Sequence, residues 1–318
     1  MRPRDQKEAA RIDKVLANFH SDVRALPGIQ LSARRTAFLE QVLESIHRVQ
    51  YIERGVLRRR DVDRKLAHQR LDPNSDLFDP IKASAIYARD GEHDEACWQV
   101  FLFTHFGKNL RTGYALLRNV YGCLGKGPIW DWARVSANPD VFRRWLARNQ
   151  ESLRQGPESG YFGNHRKYVS LNAESRSGTG EAVNSYVRWV VRHGRHHSLF
   201  DHAAEQAEHD PRRAFEYLYR SMKAVASFGR VARFDYLTMI GKLKLAEIEP
   251  GSTYMTGATG PLSGARRLFG KRNTPPAQLD RWLVELEEQL KLPMGMQVLE
   301  DALCNWQKSP ARFLPFRG

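Results

Sequence analysis

Residues 227–270 read SFGRVARFDYLTMIGKLKLAEIEPGSTYMTGATGPLSGARRLFG, and the fold class turns on how this stretch divides. Apolar residues recur at helical spacing over 230–245, Pro250-Gly251 breaks the pattern, and a second break runs from Gly257 to Pro261. A new helix is expected from Ser263, with Arg266 and Arg267 in its first turn. A glycine-containing loop feeding such a helix suits an anion, because free backbone N–H groups and the positive end of the helix dipole face it. On that reading Gly260, Gly264, Arg266 and Arg267 hold a phosphate group. The same residues also fit an ordinary helix–loop–helix corner built on glycine turns.

Working outward, the helical period continues on both sides. Over 33–60, Phe38, Leu39, Val42, Leu43, Ile46, Val49 and Ile52 recur at spacings of three and four. Around them lie Arg54, Arg58, Arg59, Arg60, Arg64, Lys65 and Arg70, either a solvated face or a surface that tracks a polyanionic backbone. Further helices are expected at 82–89, as a pair over 95–121, within 130–153 with its start at Asn138-Pro139-Asp140, and at 182–191, 211–225 and 275–290. In the pair, Trp98, Phe101, Leu102 and Phe106 share an inward face, while His105, Lys108 and Asn109 mark a break with polar groups outward. In the last segment, from residue 296, Glu300, Cys304 and Lys308 stand at i, i+4 and i+8 of a helix. Two-residue alternation is almost absent, so the expected class is all-α, with roughly a dozen helices. Residues 1–70 form an expected N-terminal helical region and residues 71–318 a catalytic one, a division equally compatible with one continuous domain.

The chain has 318 residues, enough for a substantial core. Its excess of Lys and Arg gives a net charge of +14, which points to a polyanionic partner such as nucleic acid. No run approaches the ~18 apolar residues of a membrane helix, and the N-terminus lacks the apolar core of a secretory signal. Cys97, Cys123 and Cys304 are scattered, which fits a reducing, cytoplasmic setting. Phosphate-loop, dinucleotide, nucleophile-elbow and HExxH motifs are all missing. His93-Asp94-Glu95 spells HxE without the PCxxC of a zinc deaminase. His193 and His197 have helical metal-pair spacing with His202 near, but Gly194 stands where that helix stops, so solvated histidines are expected and no metal site.

Residues 156–190 are the most irregular part of the chain, and long loops inside compact domains tend to be functional. There Phe162, Asn164, His165, Arg166, Lys167 and Tyr168 gather rings, an amide and cations, a mixture that stacks a base and holds phosphate oxygens. Asp235, between Phe234 and Tyr236, and Glu300, in VLEDALCNW, are carboxylates among apolar neighbours, where a raised pKa favours taking up a proton. Asp235 equally fits a simple ion pair with Arg230 or Arg233.

The helix–loop–helix corner and basic surface resemble helix-hairpin-helix DNA glycosylases in outline, with Asp280 nearest the position of their catalytic aspartate. A closer resemblance rests on FDPIKASAIY (78–87), WQVFLFTHFGK (98–108), GYFGNHRKYVSL (160–171), TGEAVNSYVRWV (179–190), FGRVARFDYLTMIGKL (228–243), TGPLSGARRLFG (259–270) and LEDALCNWQKSP (299–310). Together these resemble the alpha-glutamyl/putrescinyl thymine pyrophosphorylase family, phage DNA-hypermodifying amino acid:DNA transferases, over roughly residues 35–318. The last three are also similar to the helical domain of 5-hydroxymethyldeoxyuridine DNA kinases, in Gly260-Pro261, Gly264 and Leu268, then Glu300, Cys304 and Lys308.

That resemblance implies a DNA-glycosylase-like fold and a reaction on double-stranded DNA, in the cytoplasm of an infected bacterial host. An amino acid such as glycine, or a polyamine, displaces pyrophosphate from a 5-pyrophosphoryloxymethyl base. It implies that Asp235 or Glu300 accepts the amine's proton. Arg166, Lys167, Arg266, Arg267 and Lys308 would steady the leaving anion, and Phe162, Tyr168 or Phe228 would stack on a base turned out of the helix. Arg230 joins the expected DNA-binding set. No cofactor is implied, although divalent ions accompany pyrophosphate readily. Two other readings are a base-excising glycosylase and a non-catalytic DNA-binding module.

Overall fold

The computed structural model describes residues 3–57, 64–155, 159–166 and 168–315, the side chains at 64–67 and 164 excepted. Arg58, Arg59, Arg60 and Lys167 therefore lie outside the described residues, as do the side chains of Arg64, Lys65 and Asn164. Among the described residues there is no β-strand, and the protein is all-α. The α-helices are α1 Gln6–Asp22, α2 Ser32–Gln50, α3 Arg64–Leu71, α4 Pro80–Arg89, α5 His93–Phe106, α6 Ala115–Tyr121, α7 Trp132–Ala137 and α8 Pro139–Gln155. They continue as α9 Thr179–Val191, α10 His196–Gln206, α11 Pro211–Ser221, α12 Arg230–Lys242, α13 Gly260–Leu268, α14 Pro276–Leu290 and α15 Gly295–Trp306. None of them is long and apolar enough to cross a membrane.

The helices gather into two compact units, one of residues 1–52 with 250–317 and one of residues 53–249. In the first, α2 and α13 both pack on α15, and α1 packs on α14. Its core holds Phe19, Phe38, Leu283 and Trp306, with the Phe38 ring edge-on to Trp306 at 5.2 Å. In the second, α5 touches α4, α6, α7, α10 and α12. It is buried nearly all round, which is why ACWQVFLFTHF shows a continuous apolar run rather than a stripe.

Local sequence explains the boundaries. Asp79 caps α4, accepting hydrogen bonds from the Ile81 and Lys82 amides at 3.1 Å, with Pro80 in the first turn. The helix expected to start at Asn138-Pro139-Asp140 is α8, and the short α7 precedes it, Asn138 being held out of the α region ahead of Pro139. The most consequential difference is at α13. It begins at Gly260 with Pro261 in its first turn, ahead of the expected Ser263. Arg266 and Arg267 consequently lie in its last turn, where cations complement the negative end of the dipole. The helix N-terminus with two arginines does not exist. Likewise α15 ends at Trp306, so Lys308 lies past the helix that carries Glu300 and Cys304.

Candidate active site

Two glycines fold the irregular loop onto the end of α5. Gly107 stops that helix with φ +68°, and Gly163 lies against it so closely that a Cβ there would stand 2.9 Å from the Lys108 amide nitrogen. The Gly163 amide donates to the Phe106 carbonyl at 2.8 Å, and the Asn109 side-chain amide donates to the Phe162 carbonyl at 3.0 Å. A short 3-10 turn, Asn164–Arg166, then carries the Arg166 side chain inward. Its Nε donates to the Thr104 carbonyl at 2.5 Å, and its Nη2 donates to Asp235 at 2.7 Å.

Asp235 is thus ion-paired, with a partner other than the two expected from sequence. Arg230 lies 5.9 Å over the Phe234 ring, and Arg233 donates to the Tyr219 carbonyl at 2.8 Å. The pair is asymmetric, since the Arg166 side chain is 10% exposed and that of Asp235 44%. The guanidinium is fixed inside the fold while the carboxylate edge meets solvent. Phe234 and Tyr236 point into the core, so Asp235 occupies the outward face of an otherwise buried helix.

A ring cluster lies near the buried Arg166 end of this pair, whose charge His105 feels. Phe228 is buried and lies parallel to Phe101 at 5.1 Å and to His105 at 6.3 Å. Phe162 is half-buried, stacked on Phe106 at 5.6 Å and edge-on to His105 at 6.0 Å. His105 was expected to face outward and is instead buried, because the loop from residue 159 closes over the end of α5. Its Nε2 is 3.0 Å from Thr179 Oγ1, and that hydroxyl donates to the Ser170 carbonyl at 2.9 Å. Thr179 must therefore accept, which places the imidazole proton on Nε2. Burial, then the charge of Arg166, pushes the His105 pKa down to about 3, so the ring is neutral near pH 7.

Beneath the rings runs a polar chain with no recognised motif. Tyr236 donates to Tyr186 at 2.9 Å, Tyr186 donates to His196 Nε2 at 2.7 Å, and His196 Nδ1 donates to Asp94 at 2.6 Å. That direction satisfies every member with a neutral imidazole. Next to Asp94, Glu95 accepts from the Trp132 amide, Gln99 and Tyr121, and burial raises its pKa to about 7. In the sequence this polar chain shows only as the His93-Asp94-Glu95 triplet. The His193 and His202 rings lie 4.8 Å apart, while His197 sits 3.4 Å from Asp201. Gly194, at φ +88°, parts His193 from His197, which belongs to α10, and His202 pairs with the Tyr217 hydroxyl at 3.0 Å. His165 and Tyr168 are exposed.

The unit containing α13 holds the remaining candidates. A Cβ at Gly264 would come within 2.4 Å of the Leu303 carbonyl oxygen, and one at Gly260 within 2.8 Å of Cys304 Sγ. These glycines let α13 approach α15 closely. On another face of α13, Thr259, Ser263, Arg266, Arg267 and Arg272 line a cleft of about 590 Å³ with no carboxylate. Arg266 donates through Nη2 to the Thr274 carbonyl at 3.3 Å, and its buried Nε has no hydrogen-bond partner. Glu300 is half-buried, and Lys308 donates to the Asn305 side chain at 3.1 Å. Asp280 is structural, accepting from the Thr253 hydroxyl at 2.6 Å and the Met255 amide at 3.1 Å. Asp235 therefore belongs to one unit, and Glu300 and Lys308 to the other.

No curated protein and no solved structure matches the chain. The model of one protein family, described as alpha-glutamyl/putrescinyl thymine pyrophosphorylase clade 3, matches residues 33–318. That span takes in the ring cluster, the Arg166–Asp235 pair and the arginine-lined cleft, and the family's name denotes enzymes that act on thymine. The chain belongs to the alpha-glutamyl/putrescinyl thymine pyrophosphorylase family, clade 3.

Proposed function

We propose that the protein is a DNA-hypermodifying transferase. It displaces pyrophosphate from 5-pyrophosphoryloxymethyl-deoxyuridine in double-stranded DNA with an amino acid or polyamine. The C–O bond between the exocyclic methylene and pyrophosphate breaks, the electron pair leaving on phosphate oxygen. The amine nitrogen forms the new C–N bond after its ammonium form has given up a proton. Asp235 takes that proton, and Arg166 holds the carboxylate in one orientation. Phe162, with its ring half-exposed, stacks on the base turned out of the duplex, and Phe228 with His105 backs the pocket wall. Arg230, His165, Tyr168, Asn164 and Lys167 serve the DNA strand around that base.

Arg266 and Arg267, with Arg272, hold a phosphate group through side-chain charge. Gly260 and Gly264 support them by setting the α13–α15 approach. Glu300 is the second candidate base and Lys308 the second candidate for the leaving group. A glycosylase-like course of the helices belongs to the same proposal, as does work inside a phage-infected bacterium. No cofactor is needed, and a divalent ion would travel with the pyrophosphate.

Membership of the family over residues 33–318 is the observation that carries this reading. Mixing the protein with DNA bearing the pyrophosphoryloxymethyl base and a panel of amines tests it by nucleoside mass spectrometry. A base-linked amine is the expected product. Free base with abasic sites would instead establish a glycosylase, and salt-sensitive DNA binding without any product a non-catalytic module.

A further inference from the structure

The unit of residues 53–249 contains a second cleft, of about 540 Å³, whose charges are mixed. Arg70, Lys108 and Arg118 line it together with Asp76 and Asp79. Arg118 donates to the Ser75 carbonyl at 3.0 Å and to Asp76 at 2.7 Å, and its buried Nε has no hydrogen-bond partner. A buried guanidinium N–H without a partner is costly, while the Nη1 edge is held by Ser75 and Asp76. Asp79 caps α4 with one carboxylate oxygen, and its other oxygen is 3.8 Å from Lys82. Lys108 is exposed, with its ammonium 5.3 Å over the Tyr114 ring.

Such a lining discriminates by charge. A polyanion is repelled by the two carboxylates, and a diamine by the three cations, whereas a molecule with one charge of each sign satisfies both. The cleft also adjoins the candidate site through the chain itself. Ser159 lines the cleft, Tyr161 donates its amide to Thr112 at 3.3 Å, and Phe162 enters the ring cluster. Only Gly160 and Tyr161 separate Ser159 from Phe162, three Cα steps with a reach of about 11 Å at most.

We infer that this cleft binds the zwitterion of a free α-amino acid, its carboxylate against Arg118 and Lys108 and its ammonium against Asp79 and Asp76. The amino acid's role as acceptor rests on the proposed transferase reaction; its binding does not.

Calorimetric titration of the whole protein with a panel of α-amino acids, glycinamide, acetate and putrescine tests this. At least one amino acid binds, while the amide, the bare carboxylate and the diamine bind at least tenfold more weakly. Lys108→Met, which keeps the aliphatic stem, and Asp79→Asn, which keeps a helix cap, each weaken amino-acid binding about fivefold or more. No amino-acid binding, equal binding of putrescine or glycinamide, or two variants that bind like the parent would each overturn the inference. Pyrophosphate release measured on the same proteins separates the two proposals. Turnover with putrescine and no amino-acid binding sinks the cleft and leaves the reaction. Amino-acid binding lost in both variants, with no turnover from any amine, leaves the cleft and sinks the reaction.

Discussion

Arg166 and Arg266 each follow a glycine at close range in the sequence, yet the structure gives them opposite surroundings. Gly163 lies against Gly107 so that Arg166 reaches a backbone carbonyl and a carboxylate inside its unit. Gly264 lies against Leu303 so that two helices touch, and Arg266 is left on the cleft side among other arginines. A glycine next to an arginine says that backbones come close. What the missing Cβ would have struck says which backbones, and only then whether the cation is a fixed partner or a free field.

The largest way to break this contrast is Arg166→Met. It removes the cation from Asp235 and leaves the Thr104 carbonyl without its donor, so a loss of about 2–3 kcal/mol in urea unfolding is expected. Pyrophosphate release should fall by roughly a hundredfold or more, since the proton acceptor loses its orientation. Arg166→Lys should recover part of the stability and little of the rate, because an ammonium cannot hold both partners in the same plane. A variant with full rate would remove the pair from the chemistry.

Glu95→Gln probes the same unit's interior by pH. The folded pKa of about 7 lies above the unfolded 4.5, so the folded state holds the extra proton between those values. The stability tied to that proton is full below about pH 4.5 and is lost as pH rises through 7, a slope of up to about 1.4 kcal/mol per unit. Unfolding curves of the variant between pH 4.5 and 7 should lack this downward slope. His105 acts in the opposite sense, its neutral form favouring the fold as pH rises from about 3 to 6.5.

Gly264→Ala sharpens the other side. Its Cβ cannot coexist with the Leu303 carbonyl, so α13 must move off α15 at a cost of about 1–3 kcal/mol, read by thermal unfolding. Unchanged stability would mean that the close approach is not what the glycine supplies. Smallest is Arg267→Met, on an exposed arginine of the cleft. It should weaken DNA binding a few-fold on any sequence and lower the salt slope of log K by about one.

Much of the architecture was legible because local rules set it. Asp79-Pro80 and Asp210-Pro211 announce helix starts, and the inward faces with Trp98, Phe101, Val183 and Tyr186 follow the helical period. The errors came from contacts distant in sequence. His105 looked like an exposed helix end because nothing near it reveals that residues 159–166 fold over it. Asp235 finds its cation 69 positions away, and the tyrosine–histidine–aspartate chain joins α5, α9, α10 and α12, so no spacing rule connects its members. At α13 the error was local: Pro261, taken as part of the break, belongs to the first turn.

The central claim is that an amine replaces pyrophosphate on a base that stays in the DNA. The most direct test is the stoichiometry of one reaction, with pyrophosphate, amine-linked nucleoside and abasic sites counted in the same time course. The transferase account predicts one pyrophosphate per amine-linked nucleoside and no abasic sites. Abasic sites appearing in step with released base, without amine-linked nucleoside, would contradict it.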